Sequence, residues 1–426
     1  MTLQHKPHVE NQGARLIGMG FGEFVITIAI MTASVAMAID SMVPALPAIG
    51  HALGVQNPND GQWVIGVFFL GFGVSQIVFG SLADAFGRRR VLLAGMAVYA
   101  LAMFAAAATT SFSMLLIMRF VQGIGGAAVR ITTMALVRDC FGGREMARVM
   151  SYVMIVFMIV PIIAPSVGQF VISYANWHWI FLILGIVGAI LFLWALARLK
   201  ESLTKEERLP LSFGSVRDGF KTVLTNRTTC GYMIGLTMFI GVISAYVVSV
   251  QQVFGELYQL GEKLPLAFAA TAGGIAVANF ANGFFVRSFG MRRISHAAMI
   301  LFTIMAAVGL IISLGRQPNF AFAFVLFSLM LMMFAMITTN FTAISLEPMG
   351  NLAGTATAIT GFVSTTGGAV IGGAIGQMFN GTTQPLFGGF LVCGLVTIIF
   401  VLWAERGRLF THPADDPQLD PGSAHI

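Results

Sequence analysis

The chain has 426 residues, of which 57% are hydrophobic and only 10% are charged. An average soluble domain carries roughly 25% charged residues, so this composition excludes an ordinary soluble fold. The formal net charge of +6 would suggest nucleic-acid binding in a soluble protein. No nucleic acid is expected here, because the basic residues lie where they would orient a membrane protein.

Long uncharged stretches alternate with short polar turns along the chain. A transmembrane helix needs about 20 mostly apolar residues, and clusters of Gly, Pro, Ser and Asn divide the longest stretches. The pattern predicts an all-α integral membrane protein with twelve transmembrane helices. The predicted spans are 22–46, 62–83, 91–110, 113–136, 149–172, 177–197, 229–254, 265–286, 294–314, 319–342, 354–379 and 385–404.

One long polar insertion separates spans six and seven and divides the chain into two pseudo-symmetric six-helix bundles. Secondary transporters are commonly built from such internal repeats. The polar start of the chain lacks a cleavable signal pattern, so the first span is expected to stay as an anchor. The predicted domains are an N-terminal tail, 1–20, an N-terminal bundle, 21–197, a central loop, 198–228, a C-terminal bundle, 229–404, and a C-terminal tail, 405–426.

The distribution of basic residues predicts the orientation. Cytoplasmic loops retain lysine and arginine. Of the 24 basic residues, only Lys263 and Arg316 lie in predicted outer loops, and only Arg119 and Arg130 lie inside a span. Both termini are therefore expected in the cytoplasm, and the chain is expected as a multi-pass protein of the bacterial inner membrane.

A short loop sequence occurs twice, after span two and after span eight. The first copy reads GSLADAFGRRR from Gly80, and the second reads GFFVRSFGMRR from Gly283. Glycine permits a tight turn, and the arginines can bond the last carbonyls of a helix. Asp84 is replaced by Arg287 in the second copy, which suggests a charge latch between the halves. The predicted gating residues are Gly80, Asp84, Gly87, Arg88, Arg89, Arg287 and Gly290.

Two motifs carry a family resemblance. The pattern G-x-x-x-D-x-x-G-R-R from Gly80 resembles the signature loop of the major facilitator superfamily. The segment RFVQGIGG from Arg119 resembles the R-x-x-Q-G-x-G motif of its drug:proton antiporters. The segment DSMVPALPAI from Asp40, with WHWIF from Trp177, resembles the bicyclomycin-resistance branch. The resemblance implies proton-coupled export of lipophilic or amphipathic compounds by alternating access, and hence drug efflux and antibiotic resistance.

Span five departs from the antiporter pattern. The family signature is G-x-x-x-G-P-x-x-G-G, whereas this chain retains only a proline and one glycine of it and adds a second proline. Prolines remove helical hydrogen bonds and bend a helix, so a hinge at Pro161, Pro165 and Gly168 is still expected. The missing glycines leave the direction of transport open. One rival function is proton-coupled uptake of an anionic metabolite, and another is a non-transporting receptor or scaffold.

Charges inside spans are costly and usually face a cavity or a partner. Asp40 and Arg119 lie at similar predicted depths, roughly 8 and 9 Å from the outer ends of spans one and four. We expect them to couple transport to protons, because the proton affinity of a carboxylate changes with its distance from an arginine. Arg130 lies deeper towards the cytoplasm, where Glu23 is the nearest conceivable acid.

Other polar groups within the spans are candidate substrate contacts. In the uptake alternative, Arg119 and Arg130 would act as anion clamps. No nucleophile triad, phosphate loop or metal-ligand spacing is present, so we expect no enzyme, metal or cofactor. The expected partners are a small-molecule substrate, protons and the lipid bilayer, and the expected state is a monomer. The substrate-binding candidates are Arg130, Gln122, Tyr246, Asn279 and Asn340.

Overall fold

The computed structural model describes residues 18–204, 206, 208 and 213–410. Over these residues the chain forms helices joined by turns, without a strand. Twelve helical segments are long and apolar enough to cross a membrane. The predicted all-α architecture of twelve spans is confirmed.

The first six spans contain seven α-helices, because a short helix extends span one. They are α1 (Phe21–Asp40), α2 (Leu46–Ala52), α3 (Trp63–Phe86), α4 (Arg88–Ala107), α5 (Phe112–Cys140), α6 (Gly143–Tyr174) and α7 (His178–Arg198).

The remaining part begins with a short amphipathic helix and continues with six spans. They are α8 (Phe213–Thr225), α9 (Arg227–Val250), α10 (Leu264–Phe289), α11 (Met291–Gly315), α12 (Phe320–Leu346), α13 (Ala353–Gln377) and α14 (Gln384–Ala404). A π-helical turn, Gln251–Leu257, extends α9.

The helices group into two compact units. The first unit comprises the described residues of Met1–Gln56 and Val67–Ser212, and the second comprises those of Asn57–Gly66 and Phe213–Ile426. The start of span two therefore belongs to the second unit, although the sequence places it in the N-terminal half.

Span one is longer than the sequence predicts. A 3-10 turn, Val43–Ala45, follows α1, and α2 then continues the span to Ala52. Pro44 and Pro47 lie in the first positions of these two segments, where a missing backbone N–H leaves no helical bond unmade. The prolines therefore do not end the span. Asp40 lies twelve residues, or about 18 Å, from its Ala52 end.

Glycines allow close helix crossings in the first unit. A methyl group at Gly71 of α3 would overlap the carbonyl oxygen of Phe120 on α5, and one at Gly168 of α6 would overlap that of Ser41. Backbones at such crossings approach each other without intervening side chains, as in many membrane-protein interfaces. Gly168 therefore fixes α6 against the end of α1.

The second unit uses the same device between α9 and α13. Gly368, Gly372 and Gly376 recur every four residues on α13, and methyl groups there would overlap Ile240 and Ser244 of α9 and the side chain of Gln62. Packing, which the small-residue spacing predicts, explains these glycines.

A cluster of neutral amides ties the 57–66 segment to the second unit. The Asn59 amide donates to the carbonyl oxygens of Gln377 and Phe379, both at 3.0 Å. Gln377 donates back to the carbonyl oxygen of Asn59 at 2.7 Å, and Gln252 donates to its side-chain oxygen at 2.8 Å. Gln62 bonds Gln252 and the carbonyl oxygen of Gly376. We call Asn59, Gln62, Gln252 and Gln377 the amide cluster.

Replacing Gly168 by alanine should destabilise the protein, because the added methyl overlaps backbone rather than a movable side chain. Overpacking of this kind costs about 1–3 kcal/mol. Thermal unfolding of the purified protein should show a clearly lower midpoint for Gly168→Ala. The matched control is Gly283→Ala, where an added methyl meets no atom. Equal midpoints for the two variants would contradict the close crossing.

The predicted orientation can be tested with single cysteines at exposed positions in a background without Cys140, Cys230 and Cys393. Gln56 follows span one, and Lys221 lies on α8 in the central loop. An impermeant thiol reagent added to intact cells should label Gln56→Cys and spare Lys221→Cys until the membrane is permeabilised. The reverse pattern would place both termini outside.

Candidate functional site

The loop after α3 joins three helix ends through one arginine. Arg88 is buried, and its guanidinium pairs with Asp84 at 2.5 Å and with Asp139 at 2.9 Å. Gly87 allows the sharp turn before Arg88 because its φ of 98° favours glycine. Arg88 therefore links the end of α3 and the start of α4 to the end of α5.

Arg89, the next residue, caps a different helix. Its side chain donates to the carbonyl oxygens of Leu199 and Leu196 at 2.6 and 2.7 Å. These are unpaired carbonyls at the C-terminal end of α7, where cationic groups are favourable. The loop thus holds together the ends of α3, α4, α5 and α7. A loop that governs a conformational change would need to contact several helices in this way. Its gating role stays a prediction.

In the second copy of the loop, the arginine equivalent to Arg89 binds carboxylates rather than backbone carbonyls. Arg292 occupies the position of Arg89 and pairs with Glu347 at 3.0 Å and with Glu405 at 2.9 Å. Tyr232 donates to Glu405 at 2.7 Å and lies 2.8 Å from the His296 ring. Sequence reasoning missed this buried network, although the register of the two loops pointed to Arg292.

The remaining predicted gating residues are less connected. Arg287 is exposed, and Gly290 turns the chain with a φ of 81°. A methyl group at Gly80 would meet no atom. The charge latch between Asp84 and Arg287 stays a prediction.

Arg119 is fully buried in the first unit. One guanidinium nitrogen donates to the carbonyl oxygen of Ala38 at 3.0 Å and to Gln122 at 2.8 Å. Its central carbon lies 4.7 Å from the ring centre of Phe68, within cation–π range. Gln122 in turn donates to the carbonyl oxygen of Ala102. Gln122 therefore supports Arg119, and its burial separates it from a substrate in this conformation.

Asp40 ends α1 and is 7% exposed. Within the described part of the chain it makes no ion pair with Arg119 or any other basic side chain. Arg119 instead holds the backbone two residues earlier, at Ala38. Arg119 of α5 thus reaches the last turn of α1, where Asp40 lies, without a direct bond to Asp40, and the roles of both residues stay predictions.

Arg130 differs from Arg119 in being exposed. Its guanidinium carbon lies 5.1 Å from the ring centre of Phe157 on α6. Glu23, the acid nearest to it by sequence reasoning, pairs instead with Arg198 through bonds of 2.9 and 3.0 Å.

Three of the predicted substrate contacts lie in the second unit. Tyr246 is buried and bonds Thr271 at 2.8 Å, and Asn340 is buried and donates to Asn282 at 2.7 Å. Asn279 is partly exposed and accepts from Thr339 at 2.9 Å. Tyr246 and Asn340 are buried, so Asn279 is the accessible member of the three.

The predicted hinge lies within one continuous helix. Pro161 and Pro165 are both internal to α6, and each removes a helical hydrogen bond. Each proline directly follows a residue through which α6 packs on α1, namely Val160 and Ala164. The hinge role stays a prediction.

An apolar cleft of about 100 Å³ lies between α1, α6 and α7. Ile30 and Ile183 at its rim are exposed, as expected for residues that face lipid. None of the predicted substrate contacts lines this cleft. Over the described residues, no group of three or more His, Cys, Asp or Glu side chains is placed to hold a metal ion.

Comparison with known proteins identifies relatives over nearly the whole chain. The profile of the Major Facilitator Superfamily matches residues 28–373. A bicyclomycin resistance protein homolog of Haemophilus influenzae is 27% identical over 88% of this chain and 94% of its own length. The multidrug resistance protein MdtL of Escherichia coli is 25% identical over 87% of this chain and 92% of its own.

Solved structures show the same fold. The nucleoside transporter NupG aligns with a TM-score of 0.67 at 12% identity, covering 90% of this chain and 99% of that one. The human organic anion transporter MFSD10 aligns with a TM-score of 0.61 at 15% identity, covering 94% and 100%.

The Arg88 cluster predicts that Asp84→Asn slows transport while leaving substrate binding largely intact. The substitution removes one of the two carboxylates that pair with Arg88. None of the predicted substrate-binding residues lies in this loop. Flux into vesicles and equilibrium binding in detergent separate the two effects. Asp218→Asn, which removes the acid of an exposed ion pair with Arg217, is the control and should change neither. Binding lost in proportion to flux would count against gating.

Proposed function

Since the chain belongs to the major facilitator superfamily, we propose that it is a proton-coupled transporter that exports small lipophilic or amphipathic compounds by alternating access. The relatives named for multidrug and bicyclomycin resistance support export. A buried acid without a cationic partner among the described residues, Asp40, supports proton coupling and is the observation on which the proposal rests most.

Asp40 meets the physical requirement for proton exchange. A charge taken out of water without a counterion is strongly disfavoured, and a structural ion pair to account for Asp40 is absent from the described part of the chain. Its proton occupancy therefore depends on whether water reaches it. Alternating access changes that exposure in every cycle, and this supplies the link between proton and substrate movement.

Arg119 would act on Asp40 through the backbone. Its bond to Ala38 and its contact with Phe68 fix the guanidinium beside the last turns of α1. A shift of α1 against α5 changes the distance between Arg119 and Asp40, and with it the proton affinity of Asp40.

Uptake of an anionic metabolite is the second candidate. The accessible guanidinium of Arg130 favours an anion, whereas the burial of Arg119 argues against the predicted pair of clamps. Direction is settled by measurement in a host stripped of its own efflux pumps. Export predicts higher tolerance and lower accumulation of panel compounds, both reversed by a protonophore. Higher accumulation of anions would establish uptake.

Asp40→Asn should abolish transport driven by a pH gradient, because asparagine keeps the size of the side chain but cannot release a proton. The measurement is proton release when a transported compound is added to lightly buffered purified protein, together with flux in vesicles. Glu262→Gln, at an exposed acid, should behave like the parent. If Asp40→Asn still releases protons and responds to the gradient, the coupling site lies elsewhere.

A further inference from the structure

We propose that Arg130 and Phe157 form a binding subsite for organic anions with an aromatic or other apolar body. This assignment names the substrate class and rests on the transport function proposed above. The observations behind it are the depth of Arg130, the direction of its side chain, the absence of a carboxylate partner among the described residues and the apolar wall beside it.

Arg130 lies well inside its span. It is ten residues, or about 15 Å, from the Cys140 end of α5, and six residues, or about 9 Å, from the predicted inner end of the span at 136. Charged side chains at such depth are rare, and they mark ligand or ion pathways more often than lipid contact.

The side chain points further into the membrane rather than back to the nearer helix end. Phe157, under its guanidinium, is fourteen residues from the Gly143 start of α6, or about 21 Å. The Cys140 end of α5 and the Gly143 start of α6 are neighbours in the chain. An arginine that only snorkels to the membrane surface would extend towards that end, so Arg130 is not placed as a surface anchor.

No acid neutralises Arg130 in the part of the chain that the structure describes. Its recorded side-chain contact is the ring of Phe157, and the acid expected for it, Glu23, is occupied by Arg198. An aromatic ring stabilises a cation only modestly. The five N–H donors of the Arg130 guanidinium remain suited to a carboxylate or phosphate. An anionic ligand would complete the site.

The wall next to the guanidinium is apolar. Phe157 lies roughly opposite the exposed isoleucines Ile155 and Ile159 on α6, at 100° per residue. Val156, Phe157 and Met37 are partly buried beside the packed contact of α6 with α1. The subsite therefore offers a charge to the acidic group and an aromatic and thioether surface to the rest of the compound.

The same charge discriminates against cations. A cationic compound at this wall would face Arg130 without a compensating carboxylate beside it, and like charges in a low-dielectric site repel strongly. We therefore expect affinity to decrease in the order acid, neutral amide, ammonium compound for one aromatic body.

The test uses aromatic carboxylates such as 1-naphthoate, with the matching amides and ammonium compounds as probes, and equilibrium binding to the purified full-length protein. The parent should bind acids at least about tenfold more tightly than ammonium compounds. Arg130→Gln should lose about tenfold to a hundredfold in affinity for the acids, as expected for a charged hydrogen bond, and change affinity for the amides less than twofold. The affinity of Arg130→Lys for the acids should lie between that of the parent and that of Arg130→Gln.

Controls separate recognition from folding. Arg217→Gln removes a positive charge at an exposed position and should leave all affinities unchanged, and the thermal midpoint of Arg130→Gln should match the parent. A parent that binds no acid, or binds ammonium compounds equally well, overturns the proposal, as does an equal loss of acids and amides in Arg130→Gln. Binding is measured without a gradient, so failure of proton-driven export would leave this result standing.

Discussion

A charge placed inside a bilayer must be compensated, and this constraint accounts for the organisation of the first unit. The three charges that lie well inside its spans meet it in different ways. Arg119 is surrounded by a carbonyl, an amide and an aromatic ring. Arg130 lies over a ring and stays accessible. Asp40 has no cation at all among the described residues. The less complete the compensation within the protein, the stronger the case that a proton or ligand supplies the rest.

The sequence predicted the spans because a bilayer imposes length and apolarity on every one of them. It placed the end of span one at 46, whereas Pro44 and Pro47 lie in the first turns of two further helical segments, where proline is tolerated. It also ended span ten at 342, but α12 runs to Leu346 and a 3-10 turn begins at Glu347. Glu347 pairs with Arg292 at this end, and such pairing is invisible to hydropathy.

Side-chain partners were harder to predict than helices. Glu23 and Arg198 are 175 residues apart, and their pairing depends on how α1 and α7 are rotated, which periodicity does not specify. The two loop copies show the same limit. Equivalent arginines, Arg89 and Arg292, bind backbone carbonyls in one unit and carboxylates in the other. The repeat predicted where an arginine would lie, but its ligands depend on which residues the neighbouring helix ends provide.

The two ends of the second unit are held by different chemistry. At one end Arg292 is fixed by Glu347 and Glu405, beside Tyr232 of span seven. The amide cluster includes Gln252, twenty residues further along the same span, and contains no titratable group. Salt screens ion pairs at a protein surface but weakens buried pairs much less, and Arg292 is buried. The amide end is therefore held by hydrogen bonds between neutral groups, and the Arg292 end by full charges that the surrounding protein shields from dissolved ions.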